Sequence, residues 1–194
     1  MELKDAMMKR RSIRRFKQIP VTEAQINKII DSALVAPSAK NGQILRYCVI
    51  SSPEKVNAVF RNTAWGGYVH PKRIPLEGVS SPTLFVVVSC VNHGENIGPH
   101  TWADAGAAIE NMLLTAADLG LGSCWIGSFD RKVLEKTIQQ PSNQMAMYVV
   151  AFGVPDESPV LERIDSEGCP RYYLDSEDLL HVPKYTMESV TRVL

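Results

Sequence analysis

Residues 104–119 read DAGAAIENMLLTAADL, and residues 120–129 continue GLGSCWIGSF. Alanine or another apolar residue falls on nearly every face of a helix drawn through the first stretch, so that helix has no water-facing side and must be covered from several directions. It is predicted to be central. Gly120-Leu121-Gly122 ends it, because glycine takes the left-handed C′ conformation without a Cβ penalty. The apolar run 123–129, bounded by small residues, then reads as a buried strand or tight crossing whose backbone is placed to present something.

Working toward the N-terminus, residues 82–91 (PTLFVVVSCV) are apolar almost throughout and read as a strand buried on both faces. A polar loop over 92–100 joins that strand to the central helix. Before it lies a long loop, 62–81 (NTAWGGYVHPKRIPLEGVSS), rich in glycine and proline and carrying Trp65, Tyr68 and His70. Loops of such length inside compact domains are usually functional. A helix from Ser52-Pro53 to about residue 61, a strand over 46–51 and a helix over 23–36 precede it. The helix over 23–36 is opened by Thr22 and Gln25 as a capping box and stopped by Pro37. Residues 3–11 form a short amphipathic helix that ends in basic residues.

Toward the C-terminus, 130–138 reads as a helix and 145–154 (MAMYVVAFGV) as a second buried strand. From Pro155 onward no long apolar run remains. The segment 155–194 is expected to hold two short helical pieces and, through Tyr172, Tyr173, Leu179 and Leu180, to wrap a neighbour. No repeat or composition break divides the chain, so residues 1–194 are expected to form a single domain. The element order gives an α+β sandwich with four or five mostly antiparallel strands flanked by helices.

Lys plus Arg equals Asp plus Glu, 21 against 21. No global field therefore favours nucleic acid or an anionic membrane, and any anion site must be local. Cys48, Cys90, Cys124 and Cys169 show no metal-ligand spacing and read as reduced thiols, so no metal is expected. No apolar run approaches a membrane span, and MELKDAMMKRRS has no signal-peptide core. The expectation is a cytoplasmic protein.

Nucleophile elbows, zinc-protease helices, phosphate loops and dinucleotide fingerprints are all absent. Asp104 and Glu110, six apart, do not share a helix face and make no acid/base pair. The informative stretch is Arg10-Arg11-Ser12-Ile13-Arg14-Arg15-Phe16. Arginine suits bidentate contact with phosphate, and on an extended segment Arg10, Ser12 and Arg14 would point to one side. A solvated basic face explains the same residues equally well. Residues 37–43 (PSAKNGQ) offer hydroxyl and amide groups to a polar heterocycle, although they are also ordinary turn chemistry. The backbone at Ile126-Gly127 is free to meet a ligand edge.

In this order, RRSIRRF, APSAKNGQ, DAGAAIENMLLTAADLGLGSCWIG and the tail PKYTMESV resemble the nitroreductase-like FMN flavoproteins along essentially the whole chain. The resemblance implies a nitroreductase-like α/β/α sandwich and an intertwined homodimer, with residues 104–119 in its core and two FMN sites at the subunit interface. It places Arg10, Ser12 and Lys184 on the phosphate, Arg11 in support, and Arg14 at the N1/O2 edge. Pro37, Ser38, Asn41 and Gln43 line the flavin from the other subunit. Ile126 and Gly127 pack on it, with the Gly127 amide facing N5. Relatives commonly follow the glutamine with Pro-Trp and carry a pair of cations in the tail; here Ile44 and Leu45 follow Gln43, and Lys184 stands alone. Trp65 and Tyr68 are candidates for the substrate pocket, with structural packing an equal alternative. The implied activity is hydride transfer from NAD(P)H through flavin N5 to an acceptor such as a nitroaromatic or quinone, with no catalytic side chain required. An FMN-binding or storage protein of the same fold without turnover is the alternative.

Overall fold

The computed structural model describes residues 1–91 and 97–194. Its centre is a sheet of five strands, β1 (Phe16–Lys17), β2 (Leu45–Ile50), β3 (Leu84–Val91), β4 (Gly122–Ile126) and β5 (Gln144–Pro155), in the order β1-β5-β3-β2 with β4 also on β5. Every pairing in it is antiparallel. Strand β3 shows why both faces are covered. Leu84, Val86, Val88 and Cys90 point into one apolar cluster with α2 (Glu23–Leu34) and α4 (Pro99–Asp118). Phe85 and Val87 point into the opposite cluster with α3 (Pro53–Phe60) and α5 (Arg131–Thr137). Alternation along a strand sends successive side chains to opposite faces, so an unbroken apolar run requires a layer on each. Each fully buried Val, Leu or Phe contributes about 1.5–3 kcal/mol. The result is an α/β/α sandwich.

Helix α1 (Leu3–Lys9) is short and buries only Ala6. Helix α2 opens with the predicted capping box: the Gln25 N–H donates to Thr22 Oγ1 at 3.3 Å and the Thr22 N–H donates to Gln25 Oε1 at 3.0 Å. It ends two residues before the predicted 36. Helix α4 begins at Pro99, earlier than 104, because Pro at the first turn has no N–H to leave unpaired. It stops as predicted. Gly120 takes φ +74°, and the Leu121 N–H closes back on the Ala116 carbonyl at 2.8 Å.

Two expectations need correction. Helix α4 is not covered on all sides within one chain: Asp104, Ala105, Ala108, Ile109, Met112, Leu113 and Ala116 are buried, whereas Ala103, Glu110 and Asp118 are exposed. The tail is not built from two helical pieces. It forms a small sheet of β6 (Val160–Ile164), β8 (Leu180–Tyr185) and β7 (Tyr173–Leu174), with β6 and β8 parallel, followed by the four-residue α6 (Met187–Val190). Short strands with polar faces leave no apolar run to announce them. Of the predicted polar loop 92–100, residues 92–96 lie outside the described residues. Among the described residues, no helix is long and apolar enough to cross a membrane.

Candidate functional site

The basic arm that leaves α1 is extended and lies along β4. The Ile13 N–H donates to the Ser123 carbonyl at 2.8 Å, and Ser12 bridges Ser123 in parallel. Ile13 and Phe16 are buried, while Arg10, Ser12 and Arg14 sit half-exposed, the sidedness that alternation predicts. The close approach depends on Gly122, where a Cβ would stand 2.9 Å from Cβ, Cγ1 and Cγ2 of Ile13. Glutamate 157 holds the arm from behind. Its Oε1 accepts the Arg14 N–H and, at 3.2 Å, the Arg15 N–H.

Arg10, Arg11, Ser12, Arg14 and Lys184 line one cavity of ≈160 Å³, together with Tyr172 and Val182. Strand alternation brings Val182 and Lys184 in together, since they share a side of β8. Four cations and the hydroxyl-bearing Ser12 and Tyr172 converge there, and no carboxylate is among the lining residues. Arg11 is buried; its Nη2 donates to the Met8 carbonyl at 2.8 Å and its Nη1 to the Arg10 carbonyl, bracing the end of α1. Among the described residues its Nε has no partner. Burial, then the neighbouring Arg10 and Arg163, push the Arg11 guanidinium below its ordinary pKa. An unpaired buried donor in a field of excess positive charge is the environment that a phosphoryl group relieves. Arg10 meanwhile reaches Glu110 with Nε at 3.5 Å, and Arg14 lies over the Tyr172 ring at 4.7 Å.

The turn 37–43 forms a second, separate wall. Pro37, Ser38 and Gln43 line a cavity of ≈170 Å³ with Arg46, Asp104 and Ala108, while Asn41 stands exposed beside it. Lys40, Asn41 and Gln43 all take positive φ (54°, 53° and 47°). This region costs non-glycine residues about 1–3 kcal/mol and is concentrated at ligand-binding segments. Buried Asp104 pins the turn by accepting the Ala39 N–H at 2.9 Å, and Ser38 Oγ accepts the Gln43 N–H at 3.2 Å. Asn111 donates from Nδ2 to the Ser32 carbonyl at 3.0 Å and ties α4 to α2.

Ile126 ends β4 with its side chain in the core, and Gly127 follows it, exposed, with Tyr148 the only group near its missing Cβ (3.8 Å). From Ser123, beside the arm, to Gly127 the strand advances about 13 Å. Of the two readings for Trp65, its geometry favours packing: it is buried against Phe60 and its Nε1 donates to Thr63 Oγ1 at 2.9 Å. Tyr68 is exposed. It packs on Tyr172 at 5.0 Å between centroids, with the Arg171 guanidinium over its ring at 5.3 Å.

Helix α4 separates the two walls. Asp104 holds the 37–43 turn and Glu110 meets Arg10. Six residues along a helix turn about 240° and rise roughly 9 Å, so the arm and the turn sit on different sides of it. One chain presents two separate cavities, one on the arm and one on the turn.

Residues 7–154 match the sequence model described as the Nitroreductase family. The chain belongs to that family. Among curated relatives, an NADH dehydrogenase of Thermus thermophilus is 28% identical over 203 residues, covering 91% of this chain and 94% of its own. Among solved structures, a nitroreductase family protein of Clostridium novyi NT superposes with TM-score 0.68 at 27% identity, covering 81% of this chain and 87% of the other. An FMN-dependent nitroreductase of Clostridium difficile R20291 gives TM-score 0.65 at 27% identity, covering 80% and 88%. The sheet and its flanking helices are thus the nitroreductase fold.

In this nitroreductase-family chain, sequence reasoning missed Tyr172, Glu157 and Arg73. Tyr172 was visible only as an aromatic residue in a polar tail. Glu157 carried no signal at all, since a carboxylate between Pro155 and Pro159 reads as solvated loop, and its burial depends on contacts with residues 14, 15 and 73.

Proposed function

We propose that the chain is an FMN-dependent oxidoreductase that takes hydride from NAD(P)H and passes electrons to a small acceptor such as a nitroaromatic or quinone. The observation that carries this reading is the carboxylate-free cavity of Arg10, Arg11, Ser12, Arg14 and Lys184, with its unpaired buried Arg11 Nε. Bound there, FMN supplies the redox chemistry, because its ring accepts and releases electrons through N5. Arg10, Ser12 and Lys184 would hold the phosphate as charge-assisted donors, with Arg11 bracing the end of α1 behind them. Arg14 would serve the N1/O2 edge, where a positive charge favours an anionic reduced ring. Gly127 would offer its N–H to N5, and Tyr68 would border the acceptor. The names of the Clostridium difficile and Thermus thermophilus proteins support the cofactor and the donor class.

The active form is a homodimer in this reading. The half-exposed strip of α4 through Ala103, Ala107, Glu110 and Leu114 has the spacing of a helix–helix seam. Pairing two copies there would bring the 37–43 turn of one, with Pro37, Ser38, Asn41 and Gln43, to the arm of the other. The test is anaerobic stopped-flow mixing of the FMN-loaded protein with NADH and, separately, NADPH. Rapid bleaching of the flavin with either donor is expected. A loaded protein that bleaches with neither is a flavin-binding protein without reductase turnover, and the proposal fails.

A further inference from the structure

Arg73 and Glu157 are the most deeply buried oppositely charged pair among the described residues, with side chains 6% and 4% exposed and Nη1 3.5 Å from Oε2. Burying two charges is costly unless their remaining valences are used, and here they are used in part: among the described residues Glu157 Oε2 and Arg73 Nε make no hydrogen bond. Glu157 uses Oε1 on two successive backbone donors, the N–H groups of Arg14 and Arg15. Arg73 uses Nη2 on the tail: it donates to the Asp178 carbonyl and stands 3.4 Å from Asp178 Oδ2. Arg15 joins the same knot, with Nη1 3.4 Å from Asp178 Oδ2 and Nη2 donating to the Lys72 carbonyl at 2.8 Å. Three distant segments therefore meet at the Glu157 carboxylate, the basic arm, the loop that carries Tyr68 and the end of β5, and Arg73 and Arg15 join the tail to them through Asp178.

We infer that Glu157, fastened by Arg73, is a positioning residue for the anion-binding arm, fixing the backbone from which Ser12 and Arg14 reach the cavity. The inference rests on the FMN reading for what the cavity holds. Two backbone N–H groups donating to one carboxylate oxygen fix the peptide planes on both sides of Arg14. The guanidinium direction over Tyr172 follows from that backbone. A charged residue that served only solubility would stand in water, and one that served only packing would not spend its acceptor on two arm amides.

The experiment compares Glu157→Ala, Glu157→Asp and Glu157→Gln in the full chain. Amide hydrogen exchange of the apoprotein reads the arm directly. The Arg14 and Arg15 amides are expected to exchange about tenfold or more faster in Glu157→Ala, while β3 amides keep their protection, because a charge-assisted acceptor is lost. Glu157→Gln keeps an oxygen acceptor and should stay within about threefold of the parent. Titration with FMN and with riboflavin reads the consequence for the cavity. Glu157→Ala should lower the preference for FMN over riboflavin about tenfold, which general destabilisation would not do, since both ligands share the ring. If Glu157→Ala does not fold, Glu157→Asp, one methylene shorter, should show the same two effects. Unchanged exchange at Arg14 and Arg15, or an unchanged FMN-to-riboflavin ratio in a folded variant, overturns the inference. A parent protein that binds neither flavin, with the exchange effect intact, sinks the FMN reading and leaves only the arm clamp, so the role in anion binding falls with it.

Discussion

Replacing Gly122 by Ala tests how the arm is seated. The added Cβ would stand 2.9 Å from three atoms of the β-branched Ile13 side chain, against the roughly 3.5–4.0 Å at which carbon atoms rest. Ile13 cannot swing its Cβ aside without moving its backbone, so the arm must retreat by about 0.5–1 Å. That retreat stretches the 2.8 Å hydrogen bond from Ile13 to Ser123. Overpacking of this kind costs about 1–3 kcal/mol. For a chain of this length each kcal/mol lowers Tm by about 2–4 °C, so a fall of about 2–12 °C is expected by calorimetry on the apoprotein. FMN affinity should fall as well, because Ser12 and Arg14 ride on the displaced segment. Gly67→Ala is the control, with open space around its Cβ, and should change stability by less than about 0.5 kcal/mol. A Gly122→Ala protein that melts within about 1 °C of the parent would refute the seating of the arm on β4.

Asp104→Ala should cost about 0.5–1.5 kcal/mol in urea unfolding, because the Ala39 N–H loses its part-buried bond to the carboxylate; Asp104→Asn, which keeps an oxygen, should recover most of it. Cys124 gives a pH dependence. Burial chiefly, with the Glu157 charge, raises its thiol to about 11 against a lowering by Arg14. The folded state therefore holds the proton while the unfolded chain has released it, so this contribution to stability is complete below about pH 9 and is lost as pH rises toward about 11. Denaturation midpoints measured across that window should fall for the parent and fall less for Cys124→Ala. At pH 8, a thiol reagent should label exposed Cys169 well before buried Cys90 or Cys124.

The sandwich was legible in the sequence because its elements announce themselves locally. Continuous apolar runs marked β3 and β5, Thr22 and Gln25 marked the start of α2, and Gly120 marked the end of α4. The arm was legible for a similar reason: alternation alone placed Arg10, Ser12 and Arg14 on one side, and the structure brings Lys184 to the same cavity. The tail sheet was not legible, since a parallel pair between β6 and β8 is set by partners about twenty residues apart and by no periodicity within either. Trp65 was ambiguous because an aromatic residue in a glycine-rich loop serves equally as rim or as support; its contact with Phe60 favours support. Glu157 and Arg73 were invisible, because a buried ion pair between distant segments leaves no trace in local sequence.

The most direct test of the central claim is a titration of the apoprotein with FMN, followed by the change in flavin fluorescence, in the parent and in the Arg10→Ala/Ser12→Ala double variant. The parent is expected to bind one FMN per chain. Each charge-assisted contact removed costs about 1.5–3 kcal/mol, so the double variant should bind about 10²–10⁴-fold more weakly. A parent that leaves free FMN unchanged, or a folded double variant with the parent's affinity, would contradict the account.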